Sequence, residues 1–135
     1  MTTTPGTRED GHTLPGSRLR RVTAYIREHL DQDLTLAQLG AVVYMSPYHF
    51  ARLFHRSTGL PPHRFVVRAR VDHAAMLLAA PVLSIARISR VVGFRSPSHF
   101  STVFRRTMGV TPRAYRAAYL GAGLSHQAGG RDEME

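Results

Sequence analysis

The 135-residue chain contains no cysteine and no lysine. The first absence excludes disulfide scaffolds, cysteine-ligated zinc and thiol nucleophiles. The second leaves arginine as the entire basic complement of eighteen residues. No run approaches the ~18 consecutive apolar residues of a membrane span, so no membrane partner is expected. The opening MTTTPGTREDGHTLPG has neither the charged start nor the apolar run of a secretory signal, and a cytoplasmic location is expected. Acids are also scarce: between Leu34 and Tyr119 twelve arginines stand against Asp72 alone, a net charge of +11. The flanks hold six arginines and eight acids, a net −2, which brings the chain to +9. With one acid in that stretch and no Gly-rich phosphate loop, the chain is not expected to be an enzyme. Eight histidines invite a metal, but none has a partner at a ligand spacing such as HExxH. No metal and no cofactor is expected. A strongly basic domain with near-neutral ends favours a polyanion, nucleic acid before anionic membrane.

What the sequence does have is a copy of itself. Ser46–Phe65, SPYHFARLFHRSTGLPPHRF, returns fifty residues later as Ser96–Tyr115, SPSHFSTVFRRTMGVTPRAY. Ser46/Ser96, Pro47/Pro97, His49/His99, Phe50/Phe100, Phe54/Phe104, Arg56/Arg106, Gly59/Gly109 and Pro62/Pro112 all keep that spacing. Upstream it is forty-nine, as in Leu34/Leu83, Ala37/Ala86, Val42/Val91 and Val43/Val92, so one extra residue lies near Arg95. Each copy of a fixed-period repeat is one supersecondary unit, and two copies are too few for a solenoid. The protein does one thing twice.

Residues 1–16 are rich in Thr, Gly and Pro and are expected to form a disordered lead. Leu19, Val22, Ile26 and Leu30 recur at helical spacing and predict a helix over Ser17–Leu30. Thr35 with Gln38 is a capping box opening a short helix over Leu36–Val43. Ser46 then caps, and Pro47 begins, a helix to about Ser57 that stops at Gly59. Pro61-Pro62 start a longer helix to about Ala80, with Val67, Val71, Ala74 and Leu78 along one stripe, ended by Pro81. In the second copy Ser84 caps Ile85–Val92, Ser96-Pro97 open a helix to about Met108, and Thr111-Pro112 start a last one to about Leu120. Gly121–Glu135 is expected to be disordered. No segment alternates as a strand does. The prediction is an all-α chain of seven helices: a first unit over 17–60, a linker helix over 61–80, a second unit over 81–120 and a tail over 121–135.

Each unit is a short helix, a tight turn and a second helix opened by Ser-Pro, the outline of a helix-turn-helix. The short helices carry small residues at matching positions, Gly40 and Ser89, where a partner helix approaches closely. At the turn, Gly93 suits a positive φ, whereas the first copy has Tyr44 there. At about 100° per residue, Phe50, Leu53 and Phe54 share one face of the second helix, while Tyr48, Arg52 and His55 share the opposite one with Ala51 on the shoulder. In the second copy Phe100, Val103 and Phe104 face inward, and Ser98, Thr102 and Arg105 face outward with Ser101 beside them. Matching inward sets imply one packing; differing outward sets imply two surfaces being read. Arg52 can grip O6 and N7 of guanine bidentately, and Tyr48 can meet a thymine methyl. Arg56, Arg105 and Arg106 suit phosphates, as do the helix starts at Ser46 and Ser96.

The signature VVGFRSPSHFSTVFRR with Gly109, Thr111-Pro112 and Tyr115, echoed by Gly59, Pro62 and Phe65, resembles the AraC/XylS family of transcription regulators. The resemblance covers about Leu19–Tyr119. It implies two homeodomain-like helix-turn-helix units joined by a long helix, their recognition helices entering successive major grooves of double-stranded DNA. Family members read bases from positions matching Tyr48, Ala51 and Arg52, and Ser98, Ser101 and Thr102; His55 is grouped with these here. Longer polar residues are common in the family at Ala51, and arginine at Thr102, so the first unit is expected to dominate specificity and the second to anchor. Most family members carry a separate effector or dimerisation domain, and residues 1–16 are not expected to form one, so a nucleoid-associated monomer on DNA is expected, with RNA polymerase as a candidate partner. The competing expectations are a charge-driven, nonspecific binder of DNA or anionic membrane, and a DNA-binding subunit whose sensing domain lies on a partner chain.

Overall fold

Five hydroxyl side chains set helix starts. Thr35 and Gln38 exchange hydrogen bonds in a full capping box, while Ser46, Ser84, Ser96 and Thr111 each accept from the backbone N–H three residues on. Pro47, Pro62, Pro97 and Pro112 occupy first helical positions, where a missing N–H is harmless. The computed structural model describes residues 13–129, and side chains as far as 121. Among the described residues there are seven helices and no strand: α1 (Gly16–Glu28), α2 (Leu36–Val42), α3 (Pro47–Thr58), α4 (Pro62–Leu78), α5 (Ile85–Val91), α6 (Pro97–Met108) and α7 (Pro112–Gly129). Helices α3 and α6 both end on a left-handed glycine, Gly59 at φ 84° and Gly109 at φ 86°.

The chain divides into two compact units between Ala69 and Arg70. Val22, Ile26, Leu39, Val43, Phe50, Phe54 and Val66 form the core of the first. Val71, Ala74, Leu78, Ile88, Val92, Phe100 and Phe104 form that of the second. The repeat extends to ring geometry: Phe54 meets Phe65 edge-on at 5.1 Å, and Phe104 meets Tyr115 edge-on at 5.6 Å. In the first unit the Arg27 guanidinium also lies 6.0 Å from the Phe65 ring centre, within cation–π reach.

Three expectations are corrected. Composition predicts a disordered lead through residue 16, but Leu14 is buried in the first core and its N–H donates to Ser57 Oγ at 2.8 Å. An apolar side chain with a place to pack outweighs the Pro and Gly beside it; residues 1–12 lie outside the described residues. Composition predicts a disordered tail from Gly121, yet α7 runs to Gly129. No proline interrupts residues 121–129, and a helical glycine costs only about 1 kcal/mol; residues 130–135 lie outside the described residues. Finally, 61–80 is not a separate linker. Val66 belongs to the first core and Val71 onward to the second, so α4 is shared between the units. For the same reason Val66, rather than Val67, is the buried valine at its start: it sits about 100° round the helix.

The two helix-turn-helix turns are built differently. Tyr44 takes a left-handed φ of 62°, and Gly93 one of 103°. That conformation strains a bulky residue by about 1 kcal/mol and glycine hardly at all. Three residues separate α2 from its Ser46 cap, whereas four separate α5 from Ser96; Arg95 lies within the longer turn.

Candidate nucleic-acid interface

Helices α3 and α6 present the outward sets that their spacing predicts. Phe50, Leu53 and Phe54 are buried on α3, which leaves Tyr48, Arg52 and His55 exposed and Ala51 half-buried on the shoulder. On α6 Phe100 and Phe104 are buried and Val103 half-buried, with Ser98 and Thr102 exposed and Ser101 half-buried. Arg56, Arg105 and Arg106 are exposed near the ends of these helices, as is Ser46; Ser96 is half-buried. Each unit therefore gathers its candidate residues on one helix face backed by aromatic packing, which fixes where they point. No acidic residue lies on α3 or α6, and each carries arginines.

Hydrogen bonding narrows what several of these groups can do. Ser46 Oγ accepts from His49 N–H at 3.3 Å, and Ser96 Oγ from His99 N–H at 3.1 Å. The N–H groups of Phe50 and Phe100 go to the Ser46 and Ser96 carbonyls. Proline next to each cap removes one amide, and the N–H groups of His49, Phe50, His99 and Phe100 are taken up within the helix starts. Each serine hydroxyl keeps its own hydrogen for donation, because the cap uses only its oxygen. Thr102 has less to offer. Its hydroxyl donates to the Ser98 carbonyl at 3.1 Å, so outside the helix it can only accept.

Two residues near these elements were not marked by spacing. Arg116 counted as one more basic residue in the sequence, but its Nε donates to the Leu78 carbonyl at 3.1 Å and its Nη2 to the Ala80 carbonyl at 2.9 Å. It closes the end of α4. Tyr44, 79% exposed at the turn before α3, was visible only as the partner of Gly93 in the repeat. Among the described residues no three metal-ligating side chains come together, and no helix is long and apolar enough to cross a membrane.

Residues 39–118 match the helix-turn-helix domain family. Regulatory protein PocR of Salmonella typhimurium is 42% identical over 106 residues, which is 78% of this chain and 35% of that protein. Among solved structures, the DNA-binding domain of AdpA in complex with a target DNA is 37% identical, with a TM-score of 0.73 over 78% of this chain and 95% of that one. An AraC-type transcriptional regulator from Chromobacterium violaceum is 27% identical, with a TM-score of 0.72 over 76% of this chain and 92% of that one. The chain spans only about a third of the length of the first curated relatives it matches (35%, 28% and 30%). A repeated, capped helix-turn-helix with this signature and these relatives has one reading: the chain belongs to the AraC family of helix-turn-helix transcription regulators.

Proposed function

We propose that this chain is a sequence-specific DNA-binding transcription regulator that inserts α3 and α6 into successive major grooves of an asymmetric operator, with half-sites one helical turn, ~34 Å, apart. One observation carries the reading: two helices with the same buried aromatic face expose different polar sets within an acid-poor stretch. Arg52 is the principal base reader, forking onto guanine, with Tyr48, Ala51 and His55 shaping the contact around it. Ser98, Ser101 and Thr102 read less. With its hydrogen committed, Thr102 can accept from an exocyclic amine or touch a thymine methyl. Ser46, Arg56, Ser96, Arg105 and Arg106 hold phosphates. Specificity therefore resides mainly in the first unit. The protein works in the cytoplasm at the nucleoid, binds as a monomer, and has RNA polymerase as its candidate protein partner.

Selection of bound sequences from a random DNA pool, followed by a base-substitution scan, tests this. Arg52→Ala is expected to relax preference at one base pair, by about ten- to a hundredfold in discrimination. Arg106→Ala is expected to weaken every sequence alike and to flatten the salt slope by about one unit. Identical behaviour of the two variants would defeat the division of roles. Equal penalties across both half-sites would defeat the dominance of the first unit. The second reading, a charge-driven binder, draws on the +11 core and expects affinity almost independent of sequence at fixed salt.

A further inference from the structure

Tyr44 differs from every residue assigned so far. Its backbone is left-handed, a conformation that bulky side chains rarely adopt. Its side chain is 79% exposed and makes no hydrogen bond or ring contact among the described residues. The second unit solves the same turn with Gly93, which bends left-handed without a side chain. Packing therefore does not call for tyrosine here, since glycine would relieve the backbone and leave no hole. The position is the turn itself, two residues before the Ser46 cap and four before Tyr48, which is 80% exposed.

In a helix-turn-helix the first residues of the recognition helix face base edges, while the element before it crosses the sugar-phosphate rim of the groove. A side chain projecting from the turn between them meets that rim. We infer that Tyr44 is a further DNA-contacting residue of the first unit, its phenol hydroxyl donating to a backbone phosphate oxygen and its ring lying against the adjoining sugar. This rests on the DNA-reading function proposed above. Tyrosine hydroxyls are among the groups that hold phosphates in this way, and such contacts fix register without reporting sequence. Gly93 offers no counterpart, so the contact strengthens the grip of the first unit alone.

The test uses the full chain and the selected operator with its single-base variants, at fixed salt, beside urea unfolding. Tyr44→Gly is expected to unfold at the parental urea concentration or higher, yet to bind about tenfold more weakly with the ranking of base variants unchanged. Tyr44→Phe, at parental stability, is expected to bind about threefold more weakly through loss of the hydroxyl. Parental affinity in Tyr44→Gly, or a loss confined to particular base pairs, overturns the inference. Should the glycine variant fail to fold, parental affinity in Tyr44→Phe overturns it instead. A parent that binds all DNA alike sinks the regulator reading; a uniform loss in both variants on that same DNA still supports the Tyr44 contact.

Discussion

A Cβ at Gly40 would lie 2.7 Å from the Met45 carbonyl oxygen and 3.4 Å from that of Ser46, both fixed backbone atoms. Ser89, at the matching place in the second unit, is also buried, yet it keeps a side chain whose hydroxyl donates to the Ala86 carbonyl at 2.8 Å. The two turns differ in length. Both turns close back on the small residue, Met45 N–H onto the Gly40 carbonyl and Phe94 N–H onto that of Ser89, but the second has one more residue before its cap. Gly40→Ala is thus expected to destabilise the protein by about 1–3 kcal/mol, whereas Ser89→Ala changes stability by about 1 kcal/mol or less, both measured by urea unfolding. From sequence, a small residue at both positions was legible as close approach. Whether small meant serine or no side chain at all depended on the path of the turn, which residue spacing does not encode.

The helix starts were the most legible part of the chain, because hydroxyl–proline pairs state a cap and a first turn in adjacent letters. Removing one of them has a defined effect: Ser46→Ala and Ser96→Ala are each expected to lower stability by about 1 kcal/mol in denaturant titrations. The ends were harder. Left-handed glycines at Gly59 and Gly109 announced themselves, but the end of α4 is secured by Arg116, 38 residues away from the Leu78 carbonyl it holds. No local pattern could mark that pairing. Arg116→Ala is expected to cost about 1–2 kcal/mol of stability. It should change the salt dependence of DNA binding less than Arg106→Ala does, since its guanidinium is engaged within the protein. The burial of Val66 in place of Val67 has a similar origin: a stripe traced along one helix assumes one core, and α4 serves two.

Across the chain, charge and repetition carried the class of function, while the division into units had to come from packing. Leu14 shows how. Its neighbours Pro15 and Gly16 read as loop, and only the first core reveals the place that receives it. Leu14→Ala is expected to destabilise the first unit by about 2–3 kcal/mol, seen as faster amide exchange over α1 and α3 than over α6. The faces of α3 and α6 were legible because their buried phenylalanines, Phe50/Phe54 and Phe100/Phe104, repeat in step; their unequal outer sides were legible for the same reason. That inequality has a consequence beyond affinity. Only identical heads related by a two-fold axis would treat a site and its reverse complement as equivalent. In the proposed reading, heads that differ as Arg52 does from Thr102 give the site a direction, and reversing it end over end turns the bound protein around.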